Sequence, residues 1–178
     1  MIDYGAIVRI GPASTMDAHK LSEFGRRLFE ETFAAQNTAE DMRVYLESTF
    51  NDARQHAELD DPDMITLLAT DGATLVGYAQ LHLGEPPGCV LDRHAIELAR
   101  FYVDRALHGR GVAHTLMRAT LQAASARAQT VWLGVWERNA RAIAFYVKCG
   151  FVDVGQQVFV LGRDHQTDRV MWRADALP

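Results

Sequence analysis

Apolar residues recur along the chain with two different periods, and the switches between them mark out the expected elements. Ile7 to Ile10 reads as a short strand, and after Gly11-Pro12 the spacing of Leu21, Phe24, Leu28 and Phe33 is helical. Thr38 followed three residues later by Asp41 resembles a capping box, and Met42, Tyr45, Leu46 and Phe50 continue at helical spacing. A short third helix is expected over Ala53 to Leu59. The runs MITLLAT and TLVGYAQLHL on either side of Asp71-Gly72 predict a hairpin. After the turn-rich loop GEPPGCVLDRH, AIELARFYV predicts another strand.

The second half alternates. Leu116, Ala119, Thr120, Ala123 and Ala124 stripe a helix from Val112 to Arg127, TVWLGVW is a β-rich strand, and Arg138 to Lys148 reads as a helix stopped by Gly150. FVDVGQQVFVLG and QTDRVMW then form a closing hairpin. The order implies an α+β, or mixed α/β, domain around one central sheet, spanning residues 1–178 as a single unit.

Composition narrows the function classes. A chain of 178 residues that is 48% hydrophobic can bury one full core. A formal charge of −5 argues against nucleic acid or an anionic membrane as the main partner. No apolar run approaches the ~18 to 20 residues of a membrane span, and MIDYGAIVRI lacks a basic region followed by a long apolar core, so a cytoplasmic protein is expected. Cys89 and Cys149 are too few for a disulfide framework, and Cys149 reads as a packing residue before an acyl-cysteine. The 7 histidines show no metal-ligand spacing, so no metal is expected.

The chemistry concentrates in FYVDRALHGRGVAHTLMRA, where a strand feeds through His108-Gly109-Arg110-Gly111 directly into a helix. Glycines there leave backbone N–H groups bare at a helix N-terminus, an arrangement that suits a phosphate. An isolated Gly-x-Gly is most often only a tight turn. Here Arg100, Arg105, Arg110 and Arg118 surround it against the single acid Asp104, which strengthens the anion reading. A dinucleotide fingerprint would need glycine where His114 stands, and the Gly-Lys-Ser/Thr of a P-loop is absent.

What remains resembles the acetyl-CoA-binding segment of the GNAT (Gcn5-related) N-acetyltransferases. Their signature, Gln/Arg-x-x-Gly-x-Gly/Ala, is matched by His108, Gly111 and Ala113, with His108 a departure at the first position. VWERNARAIAFYVKCGF is similar to the family's later strand-helix segment, which places Asn139 at the cofactor arm and Tyr146 beside its sulfur. The resemblance implies a mostly antiparallel twisted sheet flanked by helices. In it, Leu98 to Val103 splays from Val131 to Trp136 so that acetyl-CoA lies between them. It also implies cofactor contacts from Phe101, Tyr102, Val103, His108, Gly109, Arg110, Gly111, Val112, Ala113, Asn139 and Tyr146.

Amine acetylation needs a neutral nucleophile and a proton for the departing thiolate. By resemblance Tyr146 is the general acid. Glu97, just before the strand expected to line the cleft, is a candidate base or a solvated strand residue. Asn139 suits a helix cap, a cofactor contact or both. Trp132 and Trp136 share one side of their strand and read as core or rim.

ETFAAQNTAEDMRVYLESTFN, the later NARAIAFY run and Gln166 to Asp168 resemble the bacterial Pai-type spermidine/spermine N-acetyltransferases. That narrower resemblance implies a small-molecule amine, a polyamine, as acceptor, with Glu30, Glu31, Glu85 and Asp92 as candidate carboxylates. Protein N-terminal or lysine acetylation and a non-catalytic acyl-CoA sensor are the alternatives. The oligomeric state stays open, a homodimer among the options.

Overall fold

The computed structural model describes residues 8–128 and 130–174. Within them the chain runs β1 (Arg9–Pro12), α1 (Ala18–Phe33), α2 (Ala39–Thr49), α3 (Asp52–Asp60), β2 (Met64–Asp71), β3 (Thr74–His82), β4 (Ile96–Val103), α4 (Val112–Ser125), β5 (Thr130–Trp136), α5 (Ala140–Lys148), β6 (Val152–Leu161) and β7 (Asp164–Ala174). Seven strands form one sheet in the order β1-β2-β3-β4-β5-β7-β6. Every neighbouring pair is antiparallel except β4–β5. The mixed α/β, mostly antiparallel architecture is therefore the expected one.

Element ends differ from the sequence expectation where a side chain caps the backbone. Ile7 lies outside the described residues, and β1 runs on to Pro12. Asn51 accepts a hydrogen bond from the Arg54 N–H at 2.8 Å, which starts α3 at Asp52. Asn139 accepts from the Ala142 N–H at 3.2 Å, so α5 begins at Ala140 and not at Arg138. Thr38 accepts from the Asp41 N–H at 3.1 Å. The Asp41 carboxylate does not close a local box, however: it accepts from the Thr38 hydroxyl and from the Arg163 N–H at 2.8 Å. That bond ties the start of α2 to the β6–β7 turn, where Gly162 stands at φ 62° and a Cβ would lie 2.5 Å from Asp41 Oδ1.

Helices cover both faces of the sheet. Leu116, Met117, Leu121 and Ala124 of α4 and Tyr146 of α5 pack on Ile96, Leu98, Val131, Leu133 and Val135. On the other face Leu21, Phe24 and Leu28 of α1 meet Leu68 and Tyr78, while Phe29, Met42, Leu46, Phe50 and Leu161 form an adjoining cluster. Alternation along each strand assigns its odd and even side chains to opposite faces.

A buried ion pair joins α3 to the centre of the sheet. The Arg100 guanidinium bonds Glu58 and Gln80 Oε1, Arg54 Nε donates to Glu58 at 2.7 Å, and Gln80 Nε2 donates to Thr66 at 3.2 Å. Arg100 and Glu58 side chains are only 12% and 11% exposed, so removing one partner strands a charge away from water. Burial alone would raise the Glu58 pKa; hydrogen bonds from Arg100 and Arg54 outweigh it and hold the carboxyl below its usual 4.5.

Arg100→Met should cost about 3–5 kcal/mol in urea unfolding, and adding Glu58→Met should recover much of it. Because the folded pKa of Glu58 is depressed, its stabilising share is present above the unfolded value of 4.5 and lost as pH falls through the lower folded value. Melting temperature should therefore drop more steeply below that pH in the wild type than in Glu58→Gln; parallel curves would remove the pair from acid stability.

Candidate functional site

Parallel pairing of β4 with β5 is confined to Ile96↔Val131 and Glu97↔Trp132. Beyond Glu97 the strands diverge, and the register shift opposite Gln80 and Leu81 leaves Ala99 as an extra residue in β4 at the point of divergence. From Leu98 to Val103, β4 thus has a strand on one side only. The gap is a cleft of about 810 Å³, inside the roughly 300–1,000 Å³ typical of small-ligand sites.

One side of the cleft is built by the starts of α4 and α5. Gly109 and Gly111 hold φ of 77° and 81°, and no atom lies within 4 Å of where a Cβ would sit on either. The Arg110 N–H is engaged by Leu107 O at 3.2 Å, whereas the N–H groups of Gly109, Gly111, Val112, Ala113 and His114 have no backbone acceptor among the described residues. Open space over bare amides at a helix N-terminus fits a pyrophosphate.

His108 acts as a bracket there. Its Nε2 lies 3.1 Å from Val103 O and its Nδ1 2.7 Å from Arg141 Nη1. The carbonyl can only accept and the guanidinium only donate, so His108 carries its proton on Nε2. The imidazole ties the end of β4 to α5 and brings Arg141 to the wall, a cation that no local motif marks.

Glu97, Phe101, Tyr102 and Val103 of β4, with His108, Gly109, Gly111 and Ala113, line the cleft. So do Asn139 and Tyr146 from the second segment. Asn139 spends its oxygen on the cap, which leaves its amide N–H₂ as donor. The Tyr146 ring lies among Phe101, Phe145 and Phe151. Burial pushes its phenol pKa well up, so it stays a neutral phenol at neutral pH.

Two expected contacts are not on the wall. The Arg110 side chain is exposed, and the Val112 side chain is buried in the core. What Val112 offers is its N–H. The expected cluster of cations is also smaller than its sequence suggests, because Arg100 is committed to Glu58 while Arg118 and Arg110 lie off the wall. Arg105 alone of the remaining three lines it.

The opposite side carries carboxylates and aromatic rings. Glu97 is raised by burial, with His82 Nδ1 at 3.7 Å partly opposing the shift. Asp168 of β7 is 8% exposed, has no hydrogen-bond or ion-pair partner among the described residues, and is pushed up to about 6 by burial. Trp136 meets Phe33 at 5.7 Å between ring centroids, and Tyr45 meets Phe159 at 5.4 Å. Trp132, by contrast, is core at 5% exposure.

None of Glu30, Glu31, Glu85 and Asp92 lines the cleft. Glu31 accepts from Arg27 at 3.1 Å and Asp92 from the His94 N–H at 2.9 Å. Sequence reading missed Asp168 as a site residue. The signal was its phase: Asp168 shares a face of β7 with Val170 and Trp172, where a charge is out of place. Among the described residues no cluster of His, Cys, Asp and Glu is placed to hold a metal, and no helix is long and apolar enough to cross a membrane.

Residues 26–151 match the profile of the Acetyltransferase (GNAT) family. An uncharacterized N-acetyltransferase of Lactobacillus delbrueckii subsp. lactis is 31% identical over 169 residues, covering 94% of this chain and 97% of that protein. The N-alpha-acetyltransferase RimI of Mycobacterium tuberculosis is 32% identical over 149 residues, 83% of this chain and 80% of RimI. The PaiA N-acetyltransferase of Thermoplasma acidophilum, solved in complex with coenzyme A, shares the fold at a TM-score of 0.75 and 19% identity, covering 94% of this chain and 98% of that one. With the profile spanning the splayed strands and both flanking helices, the protein belongs to the GNAT family and is an acetyl-CoA-dependent N-acetyltransferase.

Proposed function

We propose that the protein transfers acetyl directly from acetyl-CoA to a primary amine bound on the α1–α2 side of the cleft. The observation that carries this reading is the division of the wall, with bare amides on one side and poorly paired carboxylates on the other. An anionic donor and a cationic acceptor would approach the gap from opposite faces.

Acetyl-CoA supplies the acetyl group. The amides of Gly111, Val112 and Ala113 hold its pyrophosphate, and the unpaired edge of β4 from Phe101 to Val103 offers backbone bonds to its arm. Asn139 donates its amide N–H to the same arm. Glu97, its proton affinity raised by burial, takes a proton from the acceptor ammonium. Tyr146 gives its phenol proton to the departing thiolate, and the second proton that the nitrogen sheds as the amide forms restores the phenol.

The wall also bears on the acceptor. Glu58 is committed to two arginines, so the cleft carboxylates left to meet a cation are Glu97, Asp168 and the exposed Asp61. The four carboxylates that the polyamine reading would recruit are elsewhere, and of the three that remain only Asp168 is deeply buried. The wall favours an amine with one or two charges, which includes the α-amine of a peptide. Free-thiol release with purified protein, acetyl-CoA and a panel of spermidine, monoamines and short peptides decides it: spermidine as the best acceptor would overturn this preference.

Gly111→Val should raise the dissociation constant of acetyl-CoA at least ~10-fold. The branched side chain would enter the open space over the amides, at a φ of 81° that L residues adopt at a cost of about 1–2 kcal/mol. Calorimetry on a variant with wild-type circular dichroism checks this, and unchanged affinity would move the phosphate site. Tyr146→Phe keeps the ring and removes the donor. Single-turnover transfer should slow ~100-fold with acetyl-CoA affinity intact; a wild-type rate would make Tyr146 a packing residue.

A further inference from the structure

Asp168 is a buried carboxyl group with no hydrogen-bond or ion-pair partner among the described residues. Its neighbours in register are Trp136 on β5 and Gln157 on β6. Gly134, on the same face of β5 as Trp136, clears the space in front of it: a Cβ there would lie 3.0 Å from Asp168 Oδ2 and 2.7 Å from Gln157 Nε2. The carboxylate lines the cleft beside a position where β5 carries no side chain and the Gln157 amide approaches from β6. A buried carboxylate without a partner is destabilising, and such groups persist where a ligand supplies the partner.

What would satisfy it follows from the walls. Trp136 and Phe33 stand edge to face at 5.7 Å, Tyr45 and Phe159 at 5.4 Å, and all four line the same cleft. Among the described residues no lysine or arginine pairs with Asp168: Arg169, its neighbour in sequence, is turned to Asp153 on the other face, with Nε donating at 2.7 Å, and Arg138, just beyond β5, lies over the Trp136 ring with its guanidinium carbon 5.9 Å from the centroid. The ionisable group felt from α2 is the Tyr45 phenol, which burial keeps neutral; β5 and β6 contribute Gly134, Trp136 and Gln157. A cation flanked by aromatic faces is held both by the carboxylate and by the rings.

We propose that Asp168 is the acceptor-binding residue of this enzyme, pairing with the ammonium of a primary monoamine whose aromatic or other apolar body lies against Trp136, Phe33, Tyr45 and Phe159. This rests on the acetyl-transfer reading and adds the acceptor subsite and its chemical class. Removing Asp168 then weakens acceptor binding and leaves the acetyl-CoA side untouched.

The probe is 2-phenylethylamine, with 2-phenylethanol as its neutral counterpart. Titrated into wild-type protein without acetyl-CoA and followed by NMR at the tryptophan indole signals, the amine should bind above about pH 6 and the alcohol at least ~10-fold more weakly. Asp168→Asn should abolish that preference. In the transfer assay it should raise KM for the amine at least ~10-fold with kcat and acetyl-CoA affinity near wild type. The fall in kcat/KM for the amine as pH drops through about 6 should flatten. Gly134→Ala, which crowds the carboxylate without removing it, should raise the same KM.

Stability supplies a readout that a purely structural role would move the other way. With its folded pKa raised from 3.8 to about 6, Asp168 stabilises the fold at low pH and loses that contribution as pH rises through this window. Asp168→Asn should therefore melt higher than wild type above it. Equal binding of amine and alcohol, or an unchanged KM in Asp168→Asn, overturns the proposal while leaving acetyl transfer intact. Asp168-dependent amine binding with no thiol release from any amine would instead overturn the transfer reading and keep the subsite.

Discussion

Everything functional in this fold depends on β4 and β5 being parallel neighbours that pair over two residues and then part. Parallel neighbours cannot be joined by a tight turn; the chain must leave β4 and return through a crossover, here α4. The crossover places the N-terminus of α4 at the carboxyl end of β4, and the next connection places the N-terminus of α5 at the carboxyl end of β5. Both helix starts therefore flank the mouth of the gap that the diverging strands open. Open space, unpaired strand edge and bare helix amides arise together from one topological fact, with no residue placed there for the purpose except the glycines that keep the approach clear.

The period-two alternation of the strands then divides the chemistry. Leu133 and Val135 bind β5 to the face of α4 and α5, the face that also holds Tyr146, while Gly134 and Trp136 look towards α1 and α2. Phe101 follows Tyr146, and Tyr102 turns the other way to Tyr78. The reacting groups sit where the two faces communicate, at the residues where pairing stops. His108 shows how closely the parts are coupled: one imidazole spans Val103 O and Arg141, so the end of β4, the glycine turn and α5 are held in one relation.

What the sequence made legible was local. The hairpin at Asp71-Gly72, the helix stripes, the glycine turn and the Asn139 cap each depend on residues within a few positions, and they stand close to where they are expected. The functions of Arg100 and Asp41 were misread for the opposite reason. Arg100 resembles part of a basic cluster along the chain, but its partner Glu58 lies on another helix and its charge is spent inside. Asp41 has the spacing of a capping box, yet its carboxylate reaches the β6–β7 turn far along the chain. Glu30, Glu31, Glu85 and Asp92 carry the right charge for an amine and the wrong place, since composition and motif proximity say nothing about which wall a side chain joins.

Arg100 and Asp168 show two ways of keeping a charge in a low-dielectric interior. Arg100 is surrounded by the oxygens of Glu58 and Gln80, and the ring of Phe50 lies 5.4 Å from it, so its desolvation is offset within the fold. Asp168 has no such offset: the Gln157 amide lies opposite it without a hydrogen bond between the two among the described residues. Gly134 prevents the simplest closure of that space. A chain selected for stability alone would fill the position or pair the carboxylate. Leaving a buried acid unpaired there is consistent with a site whose missing half arrives with the substrate, at the one place where the sheet is already open.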